Sequence, residues 1–206
     1  PKKPSFKRPN PEGTGIPAVY ANHYWAADTT TISCFGFFRV RILAVIDLYS
    51  RKVLALRAFF RVSPADVREV MFEMFETLGK PRHFITDHGV EFRFLAPGID
   101  HRFGRIGCPA STARVERFFR SLKWEALKYL FCPTAKSCQR HLDQYREFFN
   151  RWRPHQALGG RTPDEVYAGN DAMGKPTRDN FAPLSQENAE RISFCDGLIT
   201  VFRRAA

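Results

Sequence analysis

Three acidic residues occupy positions where a negative charge is costly unless something binds it. Asp28 lies inside a predicted strand, Asp87 directly follows the strand-like run 84–86, and Glu116 stands near the start of a basic helix. A buried carboxylate must be paired, hydrogen-bonded or bound to a metal ion. Carboxylate oxygens are ligands that Mg²⁺ takes, and two such ions suit in-line displacement at phosphorus. The alternative is that each acid separately caps a turn or joins a helical ion pair.

The charge balance points to a polyanionic partner. The chain has 206 residues, with 32 Lys and Arg against 21 Asp and Glu, which gives a net charge of +11. Hydrophobic residues make up 44%, enough for a buried core, so global disorder is excluded. A protein this basic usually binds nucleic acid, and the alternative is a generic basic surface.

The sequence carries no pattern of a membrane protein or a secreted one. No run approaches the length of apolar sequence that spans a bilayer, so no membrane partner is expected. The N-terminus has a basic run without an apolar segment behind it, so no signal peptide is predicted. Because the chain begins with Pro, we expect a piece of a longer protein or a processed chain.

The cysteines favour a reducing, intracellular setting. There are 5 of them, an odd number, and no two are separated by only two residues. Cys132, Cys138 and His141 are conceivable zinc ligands, but their spacing matches no standard pattern and a fourth ligand is missing. We therefore expect Cys138 to pack on a helix face and no zinc site.

The first half of the chain predicts a mixed sheet. Strand patterns at 24–34, 39–49 and 53–60 follow one another with short turns, which predicts an antiparallel meander. A helix is predicted over 63–79, because Ser-Pro begins it and Gly ends it. The short strand at 82–86 follows this crossover helix, so it should pair in parallel.

The second half is mainly helical. Residues 88–113 are rich in Gly and Pro and are predicted to be an irregular loop, of the length that is usually functional. Helices are predicted at 113–130 and 135–152, and the turn-rich segment 153–167 ends in a short helical piece. Residues 193–202 are consistent with a strand or hairpin that docks back, or with the start of a further domain.

Three regions follow from these patterns. Residues 1–20 are predicted to be an extended basic arm, because they are rich in Pro, Gly and Lys. Residues 21–168 form the predicted catalytic core. Residues 169–206 form a weakly patterned C-terminal tail, with a short strand or hairpin docking on the core.

Six stretches, in order, resemble the integrase catalytic core of bacterial insertion-sequence transposases and retroviral integrases. They are NHYWAADTT at 22–30, VIDLYSRK at 45–52, ITDHGVEF at 85–92, GIDH at 98–101, VERFFRSLK at 115–123 and NRWRPHQALGGRTP at 150–163. Each piece alone is weak, but their number and order are specific. The last piece is typical of the bacterial branch.

The resemblance implies both a fold and a chemistry. The fold is α/β and RNase H-like, with a mixed five-stranded sheet of three antiparallel strands and parallel additions, flanked by helices. The catalytic residues would be Asp28, Asp87 and Glu116, which form the family's DDE motif and bind Mg²⁺ or Mn²⁺, two ions per active site. Water, and then a DNA 3′-hydroxyl, would attack a phosphodiester.

The resemblance also implies partners and a setting. The substrates would be the DNA ends of a mobile element and a target DNA, and the active form would be a homo-oligomer. The protein would work in the bacterial cytoplasm, at the nucleoid. Recognition of the element ends is expected to lie in sequence upstream of this chain.

The chain departs from the family pattern around the second aspartate. The family typically has 35 residues between its second Asp and its Glu, whereas 28 lie between Asp87 and Glu116 here. The deficit falls between Phe92 and Gly98, so we expect the helix found there in relatives to be absent or reduced to one turn. His88 replaces the usual Asn. In the loop before the glutamate, Ser-Thr-Ala at 111–113 replaces Asp-Asn-Gly, which should stiffen it.

These departures keep two other functions open. One is an RNase H-like nuclease that hydrolyses DNA without strand transfer. The other is a degenerate copy that binds DNA without catalysis. Neither departure removes one of the three acids.

The candidate DNA-binding residues are basic groups near the predicted site. Four of them are spaced by three on the helix of Glu116, where acids are too few to pair them all. The full set is Lys2, Lys3, Lys7, Arg8, His88, Arg114, Arg117, Arg120 and Lys123. The alternatives are a solvated helix face for the four and a solubilising tail for the arm.

Further residues of the matching stretches receive structural interpretations. Asp47 is predicted to be structural at a strand end, and Glu91 lies close enough to Asp87 in sequence to support it. The charge of Arg51 in its turn is interpreted as incidental. Arg153 and His155 are expected to order the turn after the last long helix.

Overall fold

The computed structural model describes residues 18–34, 38–87, 89–92, 100–103, 113–169 and 189–204. The strands are β1 (Tyr24–Cys34), β2 (Phe38–Asp47), β3 (Val53–Phe59), β4 (His83–Thr86), β5 (Asp100–Phe103), β6 (Ala189–Phe194) and β7 (Ile199–Arg204). The α-helices are α1 (Pro64–Leu78), α2 (Ala113–Leu122), α3 (Ala135–Glu147) and α4 (Pro163–Tyr167). Short 3₁₀ turns lie at Val90–Phe92 and Gln156–Leu158.

The central sheet is mixed and has five strands in the order β3-β2-β1-β4-β5. β1, β2 and β3 form the antiparallel meander predicted from the sequence, and β4 pairs in parallel with β1. β5 pairs in parallel with β4, although its segment was predicted to be irregular. That prediction was wrong because the four residues of β5, DHRF, show no apolar alternation.

Alternation along the strands produces two cores, one on each face of the sheet. Ala26, Ile42 and Ile85 face the layer formed by α2 and α3. Trp25 and Phe84 face the opposite layer, where α1 covers them. The central strands are therefore buried on both faces, which explains their nearly continuous apolar sequence.

The ends of α1 follow the pattern predicted from the sequence. Ser63 is the N-cap, and its hydroxyl and the carboxylate of Asp66 satisfy each other's backbone groups in a capping box. Gly79 ends the helix with φ of 79°. The five buried residues of α1, Val67, Val70, Met71, Met74 and Phe75, lie on one face and pack on the sheet.

Both long C-terminal helices change geometry before they end. α2 continues as a π-helical segment over Lys123–Leu127, and α3 does the same over Phe148–Trp152. The helices predicted at 113–130 and 135–152 are thus present, with a wider last turn. A π turn adds a residue without losing the helix, so it rotates the side chains that follow.

Side chains of α3 and of its π-helical continuation cover the outer edge of β3. The Asn150 amide accepts from Val53 N at 2.9 Å and donates to Val53 O at 2.9 Å. Gln139 does the same further along, accepting from Ala58 N at 2.8 Å and donating to Leu56 O at 2.9 Å. These amides make hydrogen bonds that a further strand would otherwise make. The edge of the sheet is therefore covered at Val53, Leu56 and Ala58.

Asn22 joins the first and last elements of the core. Its backbone N–H donates to Asp47 at 2.8 Å, and its side-chain oxygen accepts from Trp25 at 2.9 Å and from Tyr167 at 2.8 Å. Asp47 is fully buried and also accepts two hydrogen bonds from Ser50, both at 2.7 Å. The expected structural role of Asp47 at the strand end agrees with these contacts.

The C-terminal segment forms a two-stranded hairpin of β6 and β7. Phe194 and Cys195 are buried and belong to the core cluster on the α3 face. Cys195 N donates to Gln144 Oε1 of α3 at 2.6 Å. The hairpin therefore docks on the helical layer. The division of the chain into three regions stays a prediction.

None of the helices in the described residues is long and apolar enough to cross a membrane.

Candidate active site

Asp28 lies in β1, and Asp87 directly follows β4, the strand that pairs in parallel with β1. β1 and β4 are in register at Ala26 and Ile85, and each aspartate follows two residues later. Ala26 and Ile85 both face the α2 and α3 layer, and side chains two residues apart in a strand share a face. The register therefore brings the backbones of Asp28 and Asp87 near each other, and the charge of Asp87 acts on Asp28.

Glu116 approaches the same place from α2. Val115 and Phe119 of this helix are buried against the sheet, while Glu116 is exposed at the edge of the contact. Glu116 and Asp28 line one open cleft of about 310 Å³, which we call the acidic cleft. Asp87 does not line this cleft, but its charge and that of Glu116 both act on Asp28. The catalytic role of the three acids stays a prediction.

A fourth acid supports the site from the other face of β1. Glu91 is only 6% exposed, and its Oε1 accepts hydrogen bonds from Thr29 at 3.1 Å and Arg41 at 2.9 Å. Gly89 N donates to Asp87 Oδ1 at 3.0 Å. A Cβ at Gly89 would lie 2.9 Å from the Glu91 carboxyl and 3.0 Å from Asp87 Oδ1, so a larger residue would displace one of these carboxylates.

The electrostatics of Asp28 reflect this crowding. The pKa of Asp28 is raised to about 6, chiefly by burial. A hydrogen bond from Thr29 N opposes the rise, and the charges of three acids, Asp87, Glu116 and Glu91, add to it. Asp28 is therefore an acid whose ionised form lacks enough positive charge nearby. A bound cation would supply that charge.

The donor set fits a hard divalent cation. As placed, no group of three or more His, Cys, Asp or Glu side chains among the described residues is positioned to hold a metal ion. The oxygen-only chemistry of Asp28, Asp87 and Glu116 nevertheless suits Mg²⁺ or Mn²⁺. The pKa of Asp28 is raised mainly by burial and in smaller part by the charges of neighbouring acids, both of which a bound cation would offset.

Basic and aromatic groups from α2 and its π segment line the same cleft. Arg120, Lys123 and Trp124 all border it, and Lys123 Nζ donates to Thr30 Oγ1 of β1 at 2.6 Å. Trp124 is 60% exposed, and Lys128 lies 4.3 Å from the centre of its ring. The cleft combines acids with cations and a flat aromatic surface, which suits a phosphate chain carrying bases.

Two of the predicted basic residues point elsewhere. Arg114 donates to Leu48 O at 2.6 Å, and both Arg114 and Arg117 line a separate cavity on the other flank of α2. The four basic residues of α2 are thus divided between two clefts. Because an α-helix has 3.6 residues per turn, residues spaced by three lie progressively further around its axis. From Arg114 to Lys123 this rotation is large enough to place the basic side chains on different flanks.

Several predicted positions lie outside the described residues. They are Lys2, Lys3, Lys7, Arg8, His88, the segment between Phe92 and Gly98 where a helix was expected to be short, and Ser111 and Thr112.

The cysteines behave as core residues. Cys132, Cys138 and His141 are all buried, and a hydrogen bond with Cys138 lowers the pKa of the Cys132 thiol. Cys138 belongs to the core cluster on the α3 side, as expected for a packed helix residue. These three residues are part of the described chain, in which no metal-binding group is found.

Sequence reasoning missed the support given by Thr29 and Arg41. Both point to the same face of the sheet, since Thr29 pairs with Leu43 and Arg41 pairs with Thr31 in the β1–β2 ladder. The register of the hairpin would have revealed the pair, because positions two apart share a face. The partner, Glu91, comes from a turn 50 residues from Arg41, which strand patterns do not reveal.

Comparison with protein families gives a consistent assignment. Residues 19–109 match a family model described as an integrase core domain, and residues 97–163 match a second model with the same description. A putative transposase InsD of insertion element IS2E from Escherichia coli K12 is 24% identical over 179 residues, covering 80% of this chain and 82% of the relative. An uncharacterized protein of insertion element IS136 from Agrobacterium fabrum is 25% identical over 163 residues, covering 72% and 84%.

Solved structures share the fold. An integrase chain of the simian T-cell lymphotropic virus intasome, solved with the PP2A regulatory subunit B56 gamma, superposes with a TM-score of 0.66 at 19% identity, covering 88% of this chain and 66% of that one. The HTLV-2 integrase catalytic core domain, in complex with magnesium, gives 0.59 at 20% identity, covering 73% and 99%. These likenesses show the fold, which is the RNase H-like fold of integrase cores.

The fold and the family matches define a class, the integrase-type catalytic cores. Because the two family matches together span residues 19–163, the chain belongs to the integrase core domain family. Its relatives among curated proteins are insertion-sequence transposases.

Proposed function

We propose that this chain is the catalytic core of a DNA transposase, which cuts phosphodiester bonds at the ends of a mobile element and joins them to target DNA. One observation supports this proposal above the others. Asp28 and Asp87 follow paired residues of adjacent parallel strands, and Glu116 of α2 lines one cleft together with Asp28.

The proposed reaction has two displacements at phosphorus. In the first, a water oxygen forms a bond to phosphorus, the bond to the 3′ oxygen breaks, and that oxygen leaves as a 3′-hydroxyl after taking up a proton. In the second, this hydroxyl loses its proton and attacks a target phosphodiester, whose own 3′ oxygen leaves. No covalent bond to the protein is formed in either step.

The residues of the site would have different roles. Asp28, Asp87 and Glu116 would hold two divalent cations, which supply charge neutralisation at phosphorus and a more acidic attacking hydroxyl. Arg120 and Lys123 border the same cleft, where they would hold flanking phosphates in place. The Arg41–Glu91 pair lies behind Thr29 and would keep the Asp87 turn in position.

The active form is proposed to be a homo-oligomer bound to DNA in the bacterial cytoplasm. Support comes from the HTLV-2 core, which is described in dimeric and trimeric forms, and from the viral integrase described within an intasome. The mass of the chain alone and with duplex DNA, measured by light scattering after gel filtration, tests this part separately.

A strand-transfer assay tests the function. A labelled DNA end with a free 3′-hydroxyl is incubated with plasmid target and Mg²⁺ or Mn²⁺, with the wild-type chain, Asp87→Asn and Glu69→Gln. Glu69 is an exposed acid on α1 and serves as the matched control. Joined product is expected with wild type and Glu69→Gln and not with Asp87→Asn.

The same assay separates the competing functions. Cleavage of DNA without joining would identify a nuclease. Salt-sensitive DNA binding that ignores metal and survives Asp87→Asn, with neither cleavage nor joining, would identify a degenerate copy. Either result would overturn the proposed transposase activity.

A further inference from the structure

A second cleft, of about 240 Å³, lies on the flank of α2 away from the three acids. Its polar lining comes from the turn after β2, from α2, and from the turn after the α3 segment. The residues are Arg51, Arg114, Arg117, Ser121, Arg153 and His155, and we call this the arginine cleft. The α2 positions that line the two clefts differ, and they lie on opposite flanks of the helix.

Positive charge in the arginine cleft is crowded and weakly compensated. Burial lowers the pKa of Arg51, and the charges of Arg114 and Arg117 lower it further. The acids nearby are engaged: Asp47 accepts from Asn22 and Ser50, and Glu125 pairs with Arg153 at 2.5 Å. Arg51 and Arg117 form no salt bridge to any residue that the structure describes.

His155 supplies an independent sign of a missing ligand. Its side chain lines the cleft, is only 8% exposed, and its Nε2 atom is buried with no hydrogen-bond partner among the described residues. Burial and the charge of Arg153 lower its pKa to about 4, against a hydrogen bond to the Phe149 backbone. In the neutral ring, whose other nitrogen donates to the Phe149 backbone, Nε2 is an acceptor. Buried ring nitrogens are normally satisfied, so a water that donates to this atom and bridges to a ligand of the cleft is expected here.

We propose that the arginine cleft binds a phosphate group of the DNA backbone at a site distinct from the acidic cleft. The inference rests on the proposed function for the identity of the polyanion. Guanidinium groups bind phosphate oxygens through paired N–H donors, and here they come from three separate segments. A free phosphate anion has the same chemistry, and the experiment separates the two sources.

The arrangement gives α2 a contact on each flank. Arg120 and Lys123 face the acidic cleft, whereas Arg114 and Arg117 face the arginine cleft. One helix thereby fixes the distance between two bound phosphates. Occupation of the arginine cleft would orient the DNA relative to the acids without touching the reacting phosphorus.

Salt dependence of DNA binding tests the proposal without requiring catalysis. Fluorescence anisotropy measures the affinity of a labelled duplex for wild type, Arg51→Asn and Arg151→Asn across KCl concentrations. Asn tolerates the left-handed backbone of Arg51, whose φ is 65°. Arg151 is exposed in the neighbouring π segment, does not line the cleft, and matches the charge change.

Loss of one phosphate contact should reduce the slope of log affinity against log salt by about 0.9 for Arg51→Asn. Arg151→Asn should keep the wild-type slope. Arg117→Gln is the second variant, because an exposed helical position tolerates glutamine, and it should behave as Arg51→Asn does. Equal slopes for Arg151→Asn and both cleft variants would overturn the proposal.

Calorimetric titration with inorganic phosphate at constant ionic strength identifies the source. DNA binding through the cleft predicts that wild type binds phosphate weakly, that Arg51→Asn does not, and that the duplex slope falls in the cleft variants. Phosphate binding lost in Arg51→Asn with an unchanged duplex slope would overturn the DNA source and leave a free anion site. The two proposals can also fail separately. If the wild-type chain joins no DNA but the cleft variants still lower the salt slope of DNA affinity, the transposase function is refuted and the phosphate site in the arginine cleft is supported.

Discussion

At the scale of residues, the acidic cleft stores unfavourable charge. Asp28 has its pKa raised to about 6 by burial and by three neighbouring acids, whereas its value in an unfolded chain is 3.8. Above pH 6 the folded chain must hold this carboxyl ionised, which weakens folding. Below about pH 4 the carboxyl is neutral in both states, and the cost disappears.

Replacing Asp28 with Asn should therefore stabilise the metal-free chain. We expect a gain of about 1–2 kcal/mol at pH 7 to 8, reduced from the full shift because the group retains solvent contact, and shrinking toward zero as the pH falls to 4. Urea unfolding at several pH values measures it. Glu69→Gln should show no such pH trend, and a gain for Asp28→Asn that is constant with pH would show that charge repulsion is not its cause.

Metal binding should relieve the same repulsion. Calorimetric titration of Mn²⁺ is expected to show binding to wild type and Glu69→Gln, and an affinity at least tenfold weaker for Asp87→Asn, because one oxygen ligand and one charge are lost. The titration is repeated with duplex DNA present, since phosphate oxygens complete the coordination of such ions. Equal binding by wild type and Asp87→Asn in both conditions would exclude Asp87 as a ligand.

The sequence predicted the three acids as a site, but it did not predict the side chains that contact them. Asp28 lies in one recognisable strand and Asp87 follows another. The crossover helix before the second strand implies parallel pairing, so the sequence could suggest that the two acids are near each other. The Arg41–Glu91 contact depends on the β1–β2 register and on a turn of the chain after β4. His155 was interpreted as a turn residue, because only the tertiary packing shows that its Nε2 atom is unsatisfied.

At the scale of elements, the most informative feature is the cover over β3. An edge strand exposes unpaired backbone groups, and here amide side chains of α3 and its π segment bind them. Asn150 is 7% exposed and binds both backbone groups of Val53. Loss of this side chain leaves a buried donor and a buried acceptor without partners.

Asn150→Ala is expected to lower the free energy of unfolding by about 2–4 kcal/mol, because each unsatisfied buried group costs about 1–3 kcal/mol. Gln139→Ala should cost less, since its contacts with Leu56 and Ala58 are partly exposed and water can replace them. Chemical denaturation gives the energies, and hydrogen exchange should show faster exchange at the Val53 amide in Asn150→Ala alone. Equal costs for the two variants would argue against the cover as the cause.

Element boundaries were predictable where a local signal exists. Ser63 and Thr134 cap their helices through capping boxes that are visible in the sequence as short-range patterns. β5 and the π segments carry no such signal. β5 forms because β4 offers it a free edge, and the π turns reflect the packing of residues such as Phe149, so both are tertiary effects.

At the scale of the whole molecule, the C-terminal hairpin extends the core beyond the family match. The integrase core match ends at residue 163, yet Phe194 is 5% exposed and packs with the aromatic residues Phe148 and Trp152. The hairpin thus adds apolar contacts to the α3 layer. The sequence left this segment open between a docked hairpin and the start of another domain, because its apolar pattern is short.

Phe194→Ala should lower the free energy of unfolding by about 3–5 kcal/mol, as expected for a buried aromatic side chain. Phe202, on the paired strand β7, is 56% exposed and is the matched control, with an expected change below about 0.5 kcal/mol. Thermal and urea unfolding measure both. A small effect of Phe194→Ala would mean that the hairpin does not contribute to the stability of the core.

The Asn22–Tyr167 hydrogen bond has a consequence for how the chain acquires its structure during synthesis. The two residues are 145 positions apart and join the strand that opens the core to the helix that closes it. Because a ribosome releases the N-terminal residues first, β1 must wait for nearly all of the core to emerge before this contact can form. Closure of so long a loop is slow, so the nascent sheet spends that interval with its α2 and α3 face uncovered and in need of protection from other chains.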